Sequence, residues 1–352
     1  MVKSIYWLNK PYDGIENSMG YSVHTRQMYW NTRKYFDIED PLSEWHLQIA
    51  PADQARLTKG KSNILFSMFE FPEVPESYKE NLREADIVLV PCEFCREIFE
   101  PYTKNKPIVV WEGVDPKEFP YFQRKEPDYA NGERFRIFWS GARNTRKGYQ
   151  HVTDLIRLIG HRPDIEIYMK THASLPSREE LAKEIEKYNI TDVDKYMDTF
   201  ISTQEVRVLG KHQNIFFDMR KVGFDELKDM YNKAHVFLFP THGEGWGLIG
   251  TEMLSTGCPI IANNVTGVKD WFDNQVGYTL KYHERQIEAT NYDNMMCTTC
   301  EPDLQSIIDR VFEVKNNYKE ALARGKRGSK RMKDKYTWDM AGQRLASVLR
   351  KL

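Results

Sequence analysis

The chain predicts an α/β protein built from two halves, each a parallel sheet with crossover helices. Short apolar runs alternate with helical patterns through the first half, which is the sequence sign of such a sheet. A polar, proline-containing stretch, Pro120 to Glu133, then breaks the rhythm, and from Phe135 the alternation starts again. A chain of 352 residues suits two domains better than one, and 41% hydrophobic content is enough for two packed cores. Boundaries follow as 1–125 for the first half, 126–335 for the second and 336–352 for a terminal helix.

In the first half, strands are expected at Ser4 to Leu8, Trp45 to Ala50, Asn63 to Met68, Ile87 to Val90 and Ile108 to Val110. Helices are expected at Tyr21 to Phe36, Glu76 to Glu84 and Glu93 to Tyr102. The second half opens on a strand, Phe135 to Trp139, followed by a loop from Ser140 to Gly148 and a helix from Tyr149. Ile165 to Lys170, Ile215 to Phe217, Val236 to Phe239 and Pro259 to Ala262 continue its sheet. Asn189 to His212 has no clean period and reads as an irregular excursion. The last segment is helical, with Trp338, Ala341, Leu345, Val348 and Leu349 on one side.

The most informative stretch follows the apolar run Val236 to Phe239, which reads as a buried parallel strand. Pro240-Thr241-His242-Gly243-Glu244-Gly245-Trp246-Gly247 is a glycine-rich loop, and a helical pattern then runs from Leu248 toward Gly257. Open α/β sheets bind ligands at the carboxyl ends of their strands. The N–H groups of a helix start suit an anion such as a diphosphate. Glu244 and Glu252 flank that position. Carboxylates repel phosphate but accept hydrogen bonds from hydroxyls, so the pair suggests a ligand that is part phosphate and part sugar. Gly245, Gly247 and Gly250 also satisfy G-x-G-x-x-G, with Asp270 about 20 residues further on. Context opposes a dinucleotide fold: the next strand ends in Asn263 and Asn264 rather than an acid, and Thr241 to Glu244 separate the glycines from their strand.

Glu244-x7-Glu252, with the following Met-Leu-Ser-Thr-Gly-Cys-Pro-Ile-Ile-Ala, resembles the donor-site signature of retaining GT-B glycosyltransferases, and glycosyltransferase family 4 in particular. The resemblance implies two Rossmann-like domains facing each other across a cleft, with a C-terminal helix that crosses back onto the N-terminal domain. It covers Arg134 to Trp271 strongly and the preceding half more loosely; Glu112-Gly-Val-Asp-Pro-Lys-Glu-Phe119 is similar to the segment that closes the family's N-terminal domain. Glu244 is implied to contact the donor sugar's hydroxyls and Glu252 the ribose hydroxyls. The loop amides from Gly245 through Trp246 and Gly247 to Leu248 are implied to face the diphosphate. Trp246 stands where the family usually has Phe and reads as packing rather than base stacking.

Departure of a diphosphate leaves negative charge, which cations and amides must stabilise. Gly141-Ala-Arg143-Asn-Thr-Arg146-Lys147-Gly148 resembles the family's Gly-Arg…Lys-Gly element, which implies that Arg143 and Lys147 grip the diphosphate. The spacing is shorter than in common family versions, so Arg146 can replace either. In the first half, the Gly20 loop (Met19 to Ser22) and Glu70 in Phe66-Ser-Met-Phe-Glu70 resemble elements that approach the donor or the acceptor. The family's histidine motif is not evident; His24 is the candidate beside the sugar, and His242 the candidate neighbour of the donor loop. Base selectivity is expected around Lys170 to Leu175 and Phe217 to Lys221.

A net charge of −1 gives no global field toward nucleic acid or anionic lipid. The local exception runs from Arg324 to Lys335 and reads as a solvated helix face, with a lipid surface or acceptor as the alternative partner. No apolar run approaches the ~20 residues that span a bilayer, and no leader pattern is visible. The expectation is a soluble, cytoplasmic protein, at most peripheral to the inner face of a membrane. Cys92-x2-Cys95 and Cys297-x2-Cys300 could form a zinc site; their separation of about two hundred residues favours ordinary reduced thiols. The leading expectation is a metal-independent retaining transferase using a UDP- or GDP-sugar and a glycan, lipid or other hydroxyl acceptor, with no cofactor. The alternatives are the same chemistry on modified DNA bases, a catalytically silent nucleotide-sugar-binding subunit and, last, an NAD-dependent oxidoreductase.

Overall fold

The computed structural model describes residues 2–9, 20–171, 206–289 and 295–352. Its first sheet is five parallel strands in the order β1 (Tyr6–Trp7), β2 (Trp45–Ile49), β3 (Ser62–Phe66), β4 (Ile87–Val90) and β5 (Ile108–Val109). Helices α1 (Gly20–Thr32), α2 (Glu76–Glu84) and α3 (Glu93–Phe99) provide crossovers. Burial on both faces explains the strands' near-continuous apolar sequences: Ile64, Leu65 and Phe66 pair with Ile87, Val88 and Leu89, and most of these side chains lie in the core.

The second sheet has seven strands: β6 (Phe135–Ser140), β7 (Ile165–Lys170), β8 (Val206–Leu209), β9 (Ile215–Asp218), β10 (Val236–Phe239), β11 (Ile260–Ala262) and β12 (Tyr278–Thr279). They lie in the order β12-β11-β10-β6-β7-β9-β8, parallel except for β8 against β9. The expected excursion at Asn189 to His212 therefore contains an edge strand; 189–205 lies outside the described residues. Chain progress reverses at β6, whose neighbours are β7 on one side and β10 on the other. That reversal is the switch point at which open α/β sheets form a ligand crevice. Helices α4 (Tyr149–Ile159), α5 (Phe224–Lys233) and α6 (Leu248–Ser255) pack on this sheet.

An antiparallel hairpin, β13 (Tyr282–Ala289) with β14 (Met295–Pro302), was not expected from the sequence. It reaches the first half: the Thr298 N–H and hydroxyl donate to the Glu73 carboxylate at 2.8 and 2.5 Å. Pro120 to Glu133 is more than a spacer, because Arg124 is buried and donates to the carbonyls of Tyr231, Ala234 and Thr256. Helices α7 (Leu304–Asn316), α8 (Tyr318–Lys335) and α9 (Trp338–Leu349) complete the chain. The apolar side of α9 crosses back to the first half, where Leu345 and Leu349 share a core with Ile5, Trp7 and Met28. Thr337 caps it, accepting from the Met340 N–H at 3.2 Å.

Part of the basic run on α8 serves the fold. Arg324 lies over the Tyr278 ring at 4.2 Å, Arg331 pairs with Asp273 at 3.0 Å, and Arg327 pairs with Glu320 at 3.1 Å. No helix among the described residues is long and apolar enough to cross a membrane.

Candidate functional site

The loops after β6 and β10 meet above the switch point, and their chemistry is complementary. Asn144 to Gly148 forms a tight turn in which the Asn144 side chain accepts from the Lys147 N–H at 3.0 Å. The turn ends on Gly148 at φ +70°, where a Cβ would lie 2.0 Å from the Pro240 carbonyl oxygen. Only glycine meets both demands, so the cationic loop and the Glu244 loop pack backbone to backbone. Across the cleft, a Cβ on Gly243 would stand 2.3 Å from the Glu70 carbonyl oxygen, so the two halves touch at this loop.

The buried Glu244 carboxylate is the centre of the cluster. Lys147 Nζ lies 2.6 and 2.9 Å from its two oxygens, Arg146 Nη1 lies 2.9 Å from Oε2, and Thr241 Oγ1 lies 3.1 Å from Oε1. Burial by itself would raise the Glu244 pKa; the Lys147 and Arg146 charges and these hydrogen bonds overcome it and hold the carboxyl below its ordinary value. Burial pushes the Lys147 ammonium down, with Glu244 opposing. Arg146 also reaches Glu70 of the first half at 3.4 Å. Arg146 is thus the arginine that contacts Glu244, while the Arg143 guanidinium sits over the Tyr149 ring at 4.8 Å.

Glu252 lies on α6, apart from this cluster, and accepts from the Tyr231 hydroxyl at 3.0 Å. Burial, with a smaller contribution from the Glu118 charge, pushes its pKa up to about 7. Helix α6 has no side-chain cap at its start; the Gly250 N–H turns back to the Gly247 carbonyl at 2.9 Å, and the Leu248 and Ile249 N–H groups precede the first intrahelical bond. Trp246 is 1% exposed, edge-on to Tyr336 at 5.5 Å, and its carbonyl accepts from the Trp271 indole at 2.8 Å. It packs, as expected. The Gly245 carbonyl accepts from the Cys92 thiol of the first half at 3.0 Å.

His242 is buried against His151, their Nε2 atoms 2.9 Å apart, and burial drops its pKa to about 3. One imidazole must donate and the other accept, which requires the accepting ring to be neutral. His24 is buried in the first half, 3.2 Å from the Glu112 carboxylate, and burial likewise lowers its pKa to about 3. Burial, and then the Glu244 charge, holds the Glu112 carboxyl well above the carboxylate range. Glu70 joins the Glu244 cluster through Arg146, and Gly20 opens α1 with nothing within 4 Å of where a Cβ would be. Lys170 is buried and donates to the Thr171 carbonyl at 3.0 Å; 172–175, the rest of that expected base-selecting segment, lies outside the described residues, as does Met19. Among the described residues, no three His, Cys, Asp or Glu side chains cluster to hold a metal ion, and the two cysteine pairs are not brought together.

Tyr231, Thr241 and Glu112 escaped the sequence reading. Thr241 lies in the expected glycine-rich loop with nothing in its spacing to single it out, Tyr231 lies on a helix the sequence reading did not place, and Glu112 stood only within the Glu112 to Phe119 resemblance.

Two facing α/β sheets, a crossing terminal helix and a polar cluster at the second sheet's switch point define the GT-B class. In fold the chain is similar to HepE of Anabaena, solved in complex with UDP and glucose, over the whole of both chains (TM-score 0.64, 10% identity). It is also similar to sucrose-phosphate synthase of Thermosynechococcus elongatus, with 88% of this chain and 73% of that one covered (TM-score 0.61, 14% identity). In sequence, residues 220–345 match the model of a family described as family 4 glycosyltransferase in conflict systems. An uncharacterised glycosyltransferase of Methanocaldococcus jannaschii is 21% identical over 74% of this chain and 58% of its own length. The lipopolysaccharide core biosynthesis mannosyltransferase LpsB of Rhizobium meliloti is 26% identical over 45% of this chain and 40% of its own. The chain therefore spans little more than half of the curated relatives it matches, at most. Together these findings show the GT-B fold and a similarity in sequence to glycosyltransferases of group 1 and family 4.

Proposed function

We propose that the protein is a retaining glycosyltransferase that moves a sugar from a UDP- or GDP-sugar to a hydroxyl of a glycan or lipid acceptor, without a metal ion. The observation that carries this reading is the Glu244 cluster, in which Lys147 and Arg146 from one switch-point loop close on the carboxylate of the other. A donor diphosphate competes for those cations. As it takes them, Glu244 is released from its ion pairs and can accept hydrogen bonds from the sugar hydroxyls. Glu252 takes the ribose hydroxyls, and Arg143 lies on the same loop as a third cation for the diphosphate.

In this scheme the anomeric C–O bond to the diphosphate breaks, and its electron pair goes to the leaving oxygen. Lys147, Arg146 and the α6 amides stabilise the charge that develops there. The acceptor oxygen bonds to the anomeric carbon on the same face, and its proton passes to the departing diphosphate. The complexes of HepE with UDP and glucose support a nucleotide-sugar reading by fold similarity. A thermal-shift screen against UDP, GDP, ADP and CMP tests it, since a ligand bound only by the native state raises the melting temperature. One nucleoside diphosphate is expected to stabilise the protein, and NMR of the product is expected to show the donor's anomeric configuration retained. No shift with any of the four, or inversion, contradicts the reading.

A further inference from the structure

Thr266 follows β11 and opens a 3-10 turn, Thr266–Asp270, with φ +47°. β-branched L-residues rarely adopt that conformation, and such outliers persist where the surroundings hold them. Its hydroxyl spends both of its hydrogen-bonding roles on one residue: Oγ1 accepts from the Glu244 N–H at 2.8 Å and donates to the Glu244 carbonyl at 2.9 Å. The Gly267 N–H donates to that carbonyl as well, at 3.0 Å, and a Cβ on Gly267 would lie 2.3 Å from the Gly245 carbonyl oxygen. Asn263, on the same loop, donates from Nδ2 to the Thr241 carbonyl at 3.0 Å. Thr266 and Glu244 are both buried, so water does not stand in for these bonds.

Hydrogen bonds to the N–H and the C=O of one residue fix the peptide units on both sides of its Cα. They therefore fix the direction in which its side chain leaves the backbone. We propose that Thr266 is a positioning residue whose hydroxyl, held in a strained backbone, aims the Glu244 carboxylate at the donor sugar. This rests on the reading of Glu244 as the sugar contact. Glycine there would relieve the strain but would make neither bond to Glu244.

Three variants test the proposal, with the donor being whichever of UDP-glucose, UDP-N-acetylglucosamine and GDP-mannose the parent hydrolyses fastest. Thr266→Val keeps the shape and removes the hydroxyl, Thr266→Gly removes both hydroxyl and strain, and Thr266→Ser keeps the hydroxyl. Valine and glycine are expected to lower kcat by about tenfold to a hundredfold, the scale of a misplaced catalytic group. The Kd of the best-binding nucleoside diphosphate from the panel of UDP, GDP, ADP and CMP should change little, since Glu252 holds the nucleoside. Serine, which keeps both bonds to Glu244, should restore most of the parent's kcat. Glu244→Ala, measured alongside, separates the two ideas. If Glu244→Ala abolishes turnover while valine and glycine turn over normally, the brace is wrong and the site reading stands. Normal turnover by Glu244→Ala overturns the site reading itself, as does a parent that hydrolyses none of the three donors. A kcat loss that tracks lost melting temperature and lost nucleotide affinity in all three variants reduces Thr266 to a structural role.

Discussion

Glu252 carries a pH dependence that differs in sign for the empty and the occupied protein. Its pKa stands at about 7 in the fold against an ordinary value of 4.5, because burial disfavours the charge. Between those values the folded state binds the proton more tightly than the unfolded chain does. That contribution to stability is therefore complete below pH 4.5 and fades as pH rises toward 7. Ribose hydroxyls, by contrast, bond best to the ionised carboxylate, so nucleotide affinity should rise over the same range and beyond. Calorimetry of the nucleoside diphosphate that binds best should give a Kd about tenfold weaker at pH 6 than at pH 8. Glu252→Gln should flatten both trends; a pH-independent Kd in the parent contradicts the ribose role. Residue types and spacing are enough to pick out Glu244, Glu252 and the basic loop. They could not show that Arg146 rather than Arg143 reaches Glu244, because a one-residue change in a tight turn redirects a side chain. Nor could they show the His242–His151 stack or the burial of His24 on Glu112, since these partners meet only in the fold.

At the scale of elements, legibility followed burial. β4 and β10 read out of the sequence with their full ranges because strands buried on both faces are continuous apolar runs. The hairpin β13–β14 did not: most of Tyr282–Ala289 is exposed and polar, with no apolar alternation to mark it. The strand β8 is antiparallel at a sheet edge and equally silent. The turn after β6 offers a quantitative check. Gly148→Ala forces a Cβ both into positive φ and against the Pro240 carbonyl, whereas Gly132→Ala meets the first cost alone, with φ +81° and nothing within 4 Å. The backbone cost is about 1–2 kcal/mol. Urea unfolding should therefore place Gly132→Ala within about that range, and Gly148→Ala clearly beyond it. Equal losses would mean that the two switch-point loops are not locked together.

On the scale of the molecule, two sheets, a polar seam and a terminal helix act as one object. The seam is made by Glu70 with Arg146, Glu73 with Thr298 and Cys92 with the Gly245 carbonyl, while α9 closes the first half's core. The alternation of apolar runs announced the two halves; the seam pairs residues distant in the chain and left no local trace. Its effect is to present the cations of one loop, and a carboxylate from the facing half, to Glu244. The central claim is that this cluster carries sugar transfer. Release of nucleoside diphosphate from a panel of UDP- and GDP-sugars, compared between the parent, Glu244→Ala and Lys147→Ala, addresses it most directly. The account predicts turnover by the parent and its abolition in both variants, with melting showing each still folded; near-parental turnover in both would contradict it.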